Sequence, residues 1–120
     1  MKKILSLLLI LCLLTISFAS CEKNSKEDQQ LAEACATQAA SKYYNSNFKG
    51  NTIYDIEYSD CKLSIENSDF KNGTYIITVD IFANVSYEGY HLPQHLMYIE
   101  YSITVKNGNA TIINTEYITE

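Results

Sequence analysis

Hydrophobic and polar positions alternate through the second half of this chain, and the alternation divides it into strands. From Thr74 to Tyr87, the apolar residues Tyr75, Ile77, Val79, Ile81, Ala83, Val85 and Tyr87 share one parity. Thr78, Asp80, Asn84 and Ser86 take the other. Successive side chains of a strand point to opposite faces, so this pattern predicts an antiparallel strand with one buried face. Leu96 to Lys106 repeats it, with Met97, Ile99, Tyr101, Ile103 and Val105 inward. Asn107-Gly108 predicts a hairpin turn, because both central residues of a type I′ turn need positive φ. That turn sets Val105 opposite Ala110, and Ile103 opposite Ile112, in a last strand from Ala110 to Ile118. The same register would turn Asn114 and Glu116 toward the core, so a slip or bulge is expected near its end. The earlier run from Ile53 to Glu66 changes parity between Tyr58 and Cys61, which predicts a bulge near Ser59-Asp60. Asn67 to Gly73 is expected as a turn region. Glu88 to Gln94, with Gly89 and the single proline Pro93, is expected as a loop.

Ahead of the strands the period changes. Ser25 can cap a helix, with Glu27 and Asp28 in its first turn, where negative charge suits the helix dipole. Leu31, Cys35 and Ala39 recur at helical spacing, and Ala32, Ala36, Ala40 and Tyr43 or Tyr44 widen the stripe. Asn45-Ser46-Asn47 and Gly50-Asn51 end it. The reading is α+β: one N-terminal helix packed on a four-stranded antiparallel meander, preceded by a cleaved signal helix. Residues 1–20 are read as the signal peptide, 21–27 as a tether and 28–120 as a single domain.

The first 21 residues carry the strongest functional signal. Lys2 and Lys3 precede an Ile/Leu run that is too short to span a bilayer and suits a signal-peptide core. Ala19-Ser20-Cys21 follows. This arrangement resembles the lipobox of bacterial lipoprotein precursors, with Phe18 where the family usually has Leu. The resemblance implies cleavage before Cys21, a lipid on its thiol, and anchoring at the exported side of the cell membrane or the outer membrane. Ser17-Phe18-Ala19 also fits ordinary signal peptidase, which would release a soluble protein beginning at Ser20.

Cysteine parity favours the lipid. The chain has four Cys. Cys12 leaves with the signal, and a lipidated Cys21 leaves Cys35 and Cys61 as one pair. Both are expected on core-facing positions, so an oxidising compartment predicts a helix-to-sheet disulfide between them, against the alternative of two buried free thiols. One acyl chain binds a membrane only marginally, and the two or three implied by the lipoprotein resemblance would hold the protein durably.

Charge narrows the partners. The chain has 9 basic residues, all Lys, and 14 acidic ones, for a net charge of −5. Losing Lys2 and Lys3 takes this to −7. Nucleic-acid binding rests on neutralising phosphates, so an acidic chain without Arg is not expected to bind nucleic acid. The membrane is reached through the lipid, and a protein partner is expected.

No catalytic constellation, cofactor motif or metal-ligand spacing emerges. His91 and His95 are the two histidines, four apart around Pro93, and read as loop residues rather than metal ligands. Tyr90 and His91 are the distinctive surface candidates of their connector. On the sheet face away from the helix, Ile76, Phe82, Leu96, Tyr98, Ile113 and Tyr117 are expected to point outward together. Tyr98 and Tyr117 join the candidate binding residues, because tyrosine is enriched in protein contacts.

The element order resembles cystatin-like and nuclear-transport-factor-like folds. It implies either a non-enzymatic protein-binding role (inhibitor, immunity-type factor or envelope-complex component), or a ligand-binding or enzymatic domain with a pocket between helix and sheet. The second needs inward polar groups, and Asn114 and Glu116 are its candidates.

Overall fold

The computed structural model describes residues 25–119. The signal segment and Cys21 lie outside the described residues. Helix α1 (Lys26–Asn47) is followed by strands β1 (Thr52–Ile53), β2 (Ile56–Lys71), β3 (Thr74–Tyr87), β4 (Tyr90–Lys106) and β5 (Asn109–Ile118). The strands form one antiparallel sheet in sequential order. The α+β class therefore holds, with a fifth, two-residue strand ahead of the expected four. Among the described residues no helix is long and apolar enough to cross a membrane.

α1 starts where its cap dictates. The Ser25 side chain accepts the Asp28 backbone N–H at 3.0 Å, satisfying a donor that the first turn leaves open. Lys26 and Glu27 thus belong to the helix rather than to the tether. The buried row is Ala32, Ala36, Ala40 and Tyr44, each 0% exposed. Leu31 lies at the solvent edge and Cys35 and Ala39 are half-buried. The centre of the stripe is one residue away from the expected Leu31-Cys35-Ala39 row, because methyl side chains let the helix axis come closest to the sheet.

Length matching defines what the helix covers. Its 22 residues rise about 33 Å at about 1.5 Å each. Tyr75 to Val85 spans about the same distance at roughly 3.3 Å per residue. The inward residues Tyr75, Ile77, Val79, Ile81, Ala83 and Val85 are buried, and the next inward position, Tyr87, is 45% exposed. Gln29 donates to Ser68 near the start of α1, and Tyr44 donates to the Ser59 carbonyl near its end. The β3–β4 hairpin therefore projects past the C-terminal end of the helix, at the opposite end of the sheet from Ser25.

Every hairpin closes through two residues. Tyr54-Asp55, Asn72-Gly73, Glu88-Gly89 and Asn107-Gly108 all have positive φ at both positions, the geometry of type I′ turns. Asn107-Gly108 acts as expected, with Val105 opposite Ala110 and Ile103 opposite Ile112. The other three correct the expectation. β2 runs on to Lys71, so the region from Asn67 is strand rather than turn. Tyr90, His91 and Pro93 belong to β4 rather than to a loop. Pro93 is tolerated there because β5 reaches only Tyr98, so this part of β4 has a free edge that needs no donor.

Bulges carry the remaining corrections. The one between Tyr58 and Cys61 falls where the parity change placed it. Another sits between Ile65 and Asn67. At Leu96 the register with β3 shifts, and at Ile113 the register of β5 shifts. After Ile113, Thr115 and Tyr117 oppose the inward Tyr101 and Ile99. Tyr117 therefore lies on the helix side, its ring 4.8 Å from that of Tyr43, and not on the outer face as expected. Asn114 and Glu116 are exposed instead of facing the core.

Candidate functional site

The outer face of the sheet holds an acid–imidazole pair that the helix does not cover. Asp80, on the polar parity of β3, is 8% exposed. His95 sits beside it on β4, with Nε2 2.7 Å from the Asp80 Oδ1. Both atoms are shut off from solvent. Aromatic rings provide the shelter: the His95 ring lies 5.2 Å from Phe82 and 4.6 Å from Tyr98. A buried polar group needs a partner, and here each residue supplies the other's. The pair bridges β3 and β4 beside the Leu96 bulge, so it clamps the point where the ladder shifts. Tyr98 does point outward, as expected, but it is half-buried over His95 and takes part in the clamp.

Next to this cluster is a hollow of about 560 Å³ lined by Lys62, Ser64, Phe82, Asn84 and Pro93. His91 shares the outer face with His95, but the strand carries it away from the Asp80 pair, to a position opposite Ser86. There it helps to line a hollow of about 430 Å³ with Glu57, Ser59 and Ser86. No group of three or more His, Cys, Asp or Glu side chains suited to a metal ion occurs among the described residues.

The projecting end of the sheet is the most aromatic exposed surface. Beyond the reach of α1, Tyr87 opposes Tyr90, and Leu92 sits beside them opposite Val85, the last buried inward residue of β3. Tyr90 is 71% exposed and Leu92 49%. Tyr54, in the neighbouring β1–β2 turn, is 91% exposed with φ of 51°. A large side chain in left-handed backbone is uncommon and strained, and this one is held out in solvent. Tyr90 and His91 thus lie at the same end but on opposite faces. Tyr117 and Tyr98 are not part of this surface.

Between α1 and β5 lies a hollow of about 320 Å³ lined by residues including Lys42, Tyr43, Tyr101, Thr115 and Tyr117. Asn114 and Glu116 do not line it, because the Ile113 bulge turns them away.

The expected Cys35–Cys61 disulfide is not formed, and both residues are free thiols. Cys35 shares the helix flank of Ala39 and Tyr43, which faces β5, and its charge is felt at Tyr101. Cys61 is on β2, at the far end of the helix, where its charge is felt at Tyr44. Nine residues separate Cys35 from Tyr44, roughly 13 Å of helix rise, whereas bonded cysteines need Cα atoms within about 7 Å. Burial pushes both thiols up from their ordinary value. At Cys61 a backbone hydrogen bond and Lys49 oppose the rise and Asp60 adds to it. Since the thiolate is the nucleophile, native Cys35 and Cys61 should alkylate at least about tenfold more slowly than in the denatured chain. Denaturation without reductant should release both. Finding neither reactive after denaturation would show that they are bonded after all.

No protein-family model matches the chain, and neither curated proteins nor solved structures match it. The cystatin-like and nuclear-transport-factor-like likeness therefore rests on element order alone, and function has to be argued from the surface.

Proposed function

We propose that this chain is a small envelope lipoprotein, anchored through lipid on Cys21, that binds another protein through the aromatic end of its sheet and has no enzymatic chemistry of its own. The observation that carries this reading is the placement of Tyr54, Tyr87, Tyr90 and Leu92 at the end of the sheet opposite Ser25. From Cys21 to Ser25 the chain reaches at most about 14 Å. The 14 residues of β3 extend about 46 Å in the other direction. A lipid at Cys21 would hold the helix start at the membrane and leave the aromatic end free to meet a partner. Exposed tyrosines present a large contact area at low entropic cost, and they dominate binding hot spots.

A photo-crosslinking side chain at Tyr90 should capture one protein of discrete mass in intact cells, whereas one at Lys26 should not. The Tyr87→Ser/Tyr90→Ser variant should lower partner recovery by about tenfold or more while leaving the fold intact. Cys21→Ser should move the protein from the membrane to the soluble fraction. Equal capture at Tyr90 and Lys26, or full recovery with the double variant, would refute binding at the sheet end. A Cys21→Ser protein that stays membrane-bound would refute the lipid anchor.

A further inference from the structure

We infer that the hollow between α1 and β5 binds a small aromatic carboxylate, with Lys42 facing the carboxylate, the Tyr101 hydroxyl donating to it, and the rings of Tyr43 and Tyr117 holding the apolar body. This site lies apart from the aromatic end of the sheet. Its volume of about 320 Å³ is at the small end of ligand pockets, which run from about 300 to 1,000 Å³. Its floor is Tyr101, which is 3% exposed and yet borders the hollow. The charges felt at the Tyr101 hydroxyl are those of Tyr117, Cys35 and Tyr43, so that end of the side chain points into the seam between α1 and β5. The buried phenol of Tyr44 donates to the Ser59 carbonyl, whereas the Tyr101 hydroxyl has no hydrogen-bond partner among the described residues. Buried phenols usually find a partner, and the bond left unmade here marks where a ligand's acceptor belongs.

Charge selects the ligand. Among the described residues, Lys42 is the one charged side chain that lines the hollow, and no ion pair holds it. The positions one turn away along α1 are Gln38, Ala39, Asn45 and Ser46, so no acid on the helix can reach it. The Ile113 bulge keeps the opposite wall free of acid as well. Without the bulge, Asn114 and Glu116 would take the helix-side positions of β5, and with it Thr115 and Tyr117 do. Burial pushes the Tyr101 phenol up to about 12, so at neutral pH it keeps its proton and offers it to an acceptor. A carboxylate answers both groups, and hydrogen bonds to an ionised acceptor are roughly twice as strong as those to a neutral one. The rings define the rest of the ligand. Tyr43 and Tyr117 lie 4.8 Å apart, and Tyr117 is 54% exposed, which leaves ring surface for a flat aromatic body to pack against, offset or edge-on.

Benzoate is the probe. Titrated into the detergent-purified, exported chain and followed by amide NMR shifts, it should bind with a Kd of about 0.1–1 mM. It should move the amides of Lys42, Thr115 and Tyr117 and leave those of Tyr54 and Tyr90 in place. Benzamide, similar in size but uncharged, should bind at least about tenfold more weakly, and so should acetate, which has no ring. Tyr101→Phe should weaken benzoate by about tenfold without lowering the melting temperature at neutral pH, because its hydroxyl gives up no bond within the chain. Lys42→Gln, at an exposed position, should weaken it by about threefold to fivefold. Lys62→Gln, on the other face of the sheet beside the outer hollow, should bind as wild type does. Circular dichroism of each variant would verify the fold. No binding up to about 10 mM benzoate, equal affinity for benzamide, a loss with Lys62→Gln, or full affinity in Tyr101→Phe or Lys42→Gln would each overturn the inference.

Discussion

Ala36→Leu should destabilise the fold by about 3 kcal/mol, while Ala34→Leu, two residues along the same helix, should stay within about 0.5 kcal/mol of wild type. Ala36 is 0% exposed and Ala34 is exposed. Alanine and leucine differ little in helix propensity, so the contrast isolates packing. Ala32, Ala36 and Ala40 are the closest points of contact between α1 and the sheet, against a floor that includes the fully buried Ile77, Val79 and Ile99. A leucine there needs room that only lifting or tilting the helix can supply. Lifting would loosen the whole row at once and withdraw the Tyr44 hydroxyl from Ser59. Small domains have only about 5–15 kcal/mol of stability, and a melting temperature moves about 4–8 °C per kcal/mol. A drop of roughly 12–24 °C for Ala36→Leu is therefore expected by thermal melting. Equal melting temperatures for the two variants would mean that the helix does not lie flush on its alanine row.

The strands were legible in the sequence wherever side-chain alternation and turn chemistry agreed. β3 runs from Thr74 to Tyr87 as its parity predicts, and the Asn107-Gly108 hairpin has the expected register. Glu88-Gly89 was harder to recognise, because Pro93 argued against a strand there. Only the short reach of β5, a property of the whole sheet, makes that proline acceptable. Bulges hid the rest. Without the shift at Leu96, His95 would share the inward parity of Met97 and Ile99, and nothing in the sequence would bring it to Asp80. Asp80 itself had one faint signal, a lone acid among Thr, Asn and Ser on the outward parity of β3. Tyr117 changes face because the bulge falls as early as Ile113, where nothing in the residues marks it. Tyr54 gives no sign of being a turn residue, since left-handed backbone at tyrosine has no local signature. The cysteines misled because facing the core is a weaker condition than facing each other. Two residues can both be buried while lying on opposite flanks of a helix and far apart along it.

The same closely packed core predicts a loss of stability in alkali with a definite sign. Burial pushes the phenols of Tyr44 and Tyr101 up to about 12, against an ordinary value near 10. Neighbouring acidic groups reinforce the rise, Cys61 at Tyr44 and Tyr117 at Tyr101. Below about pH 10 both phenols are neutral in the folded and unfolded chain, and their contribution to stability is fully present. Above it the unfolded chain releases these protons first. The folded state then binds more protons than the unfolded one, so stability falls as pH rises through about 10 to 12. Each group, being nearly inaccessible, should account for roughly 2–3 kcal/mol across that window. Exposed tyrosines such as Tyr54 and Tyr90 should titrate with little effect on stability. Unfolding free energies from urea curves at about pH 8 and about pH 11 should differ by about 3 kcal/mol or more in wild type. Tyr101→Phe should recover roughly half of that difference. Tyr44→Phe should recover a similar share, but it should start about 1 kcal/mol lower at neutral pH, because it leaves the Ser59 carbonyl without its donor. The double variant should keep only the smaller loss due to Tyr75 and to the two thiols that burial also raises. A double variant that loses as much stability as wild type would mean that ionisation of these two phenols does not drive the alkaline transition.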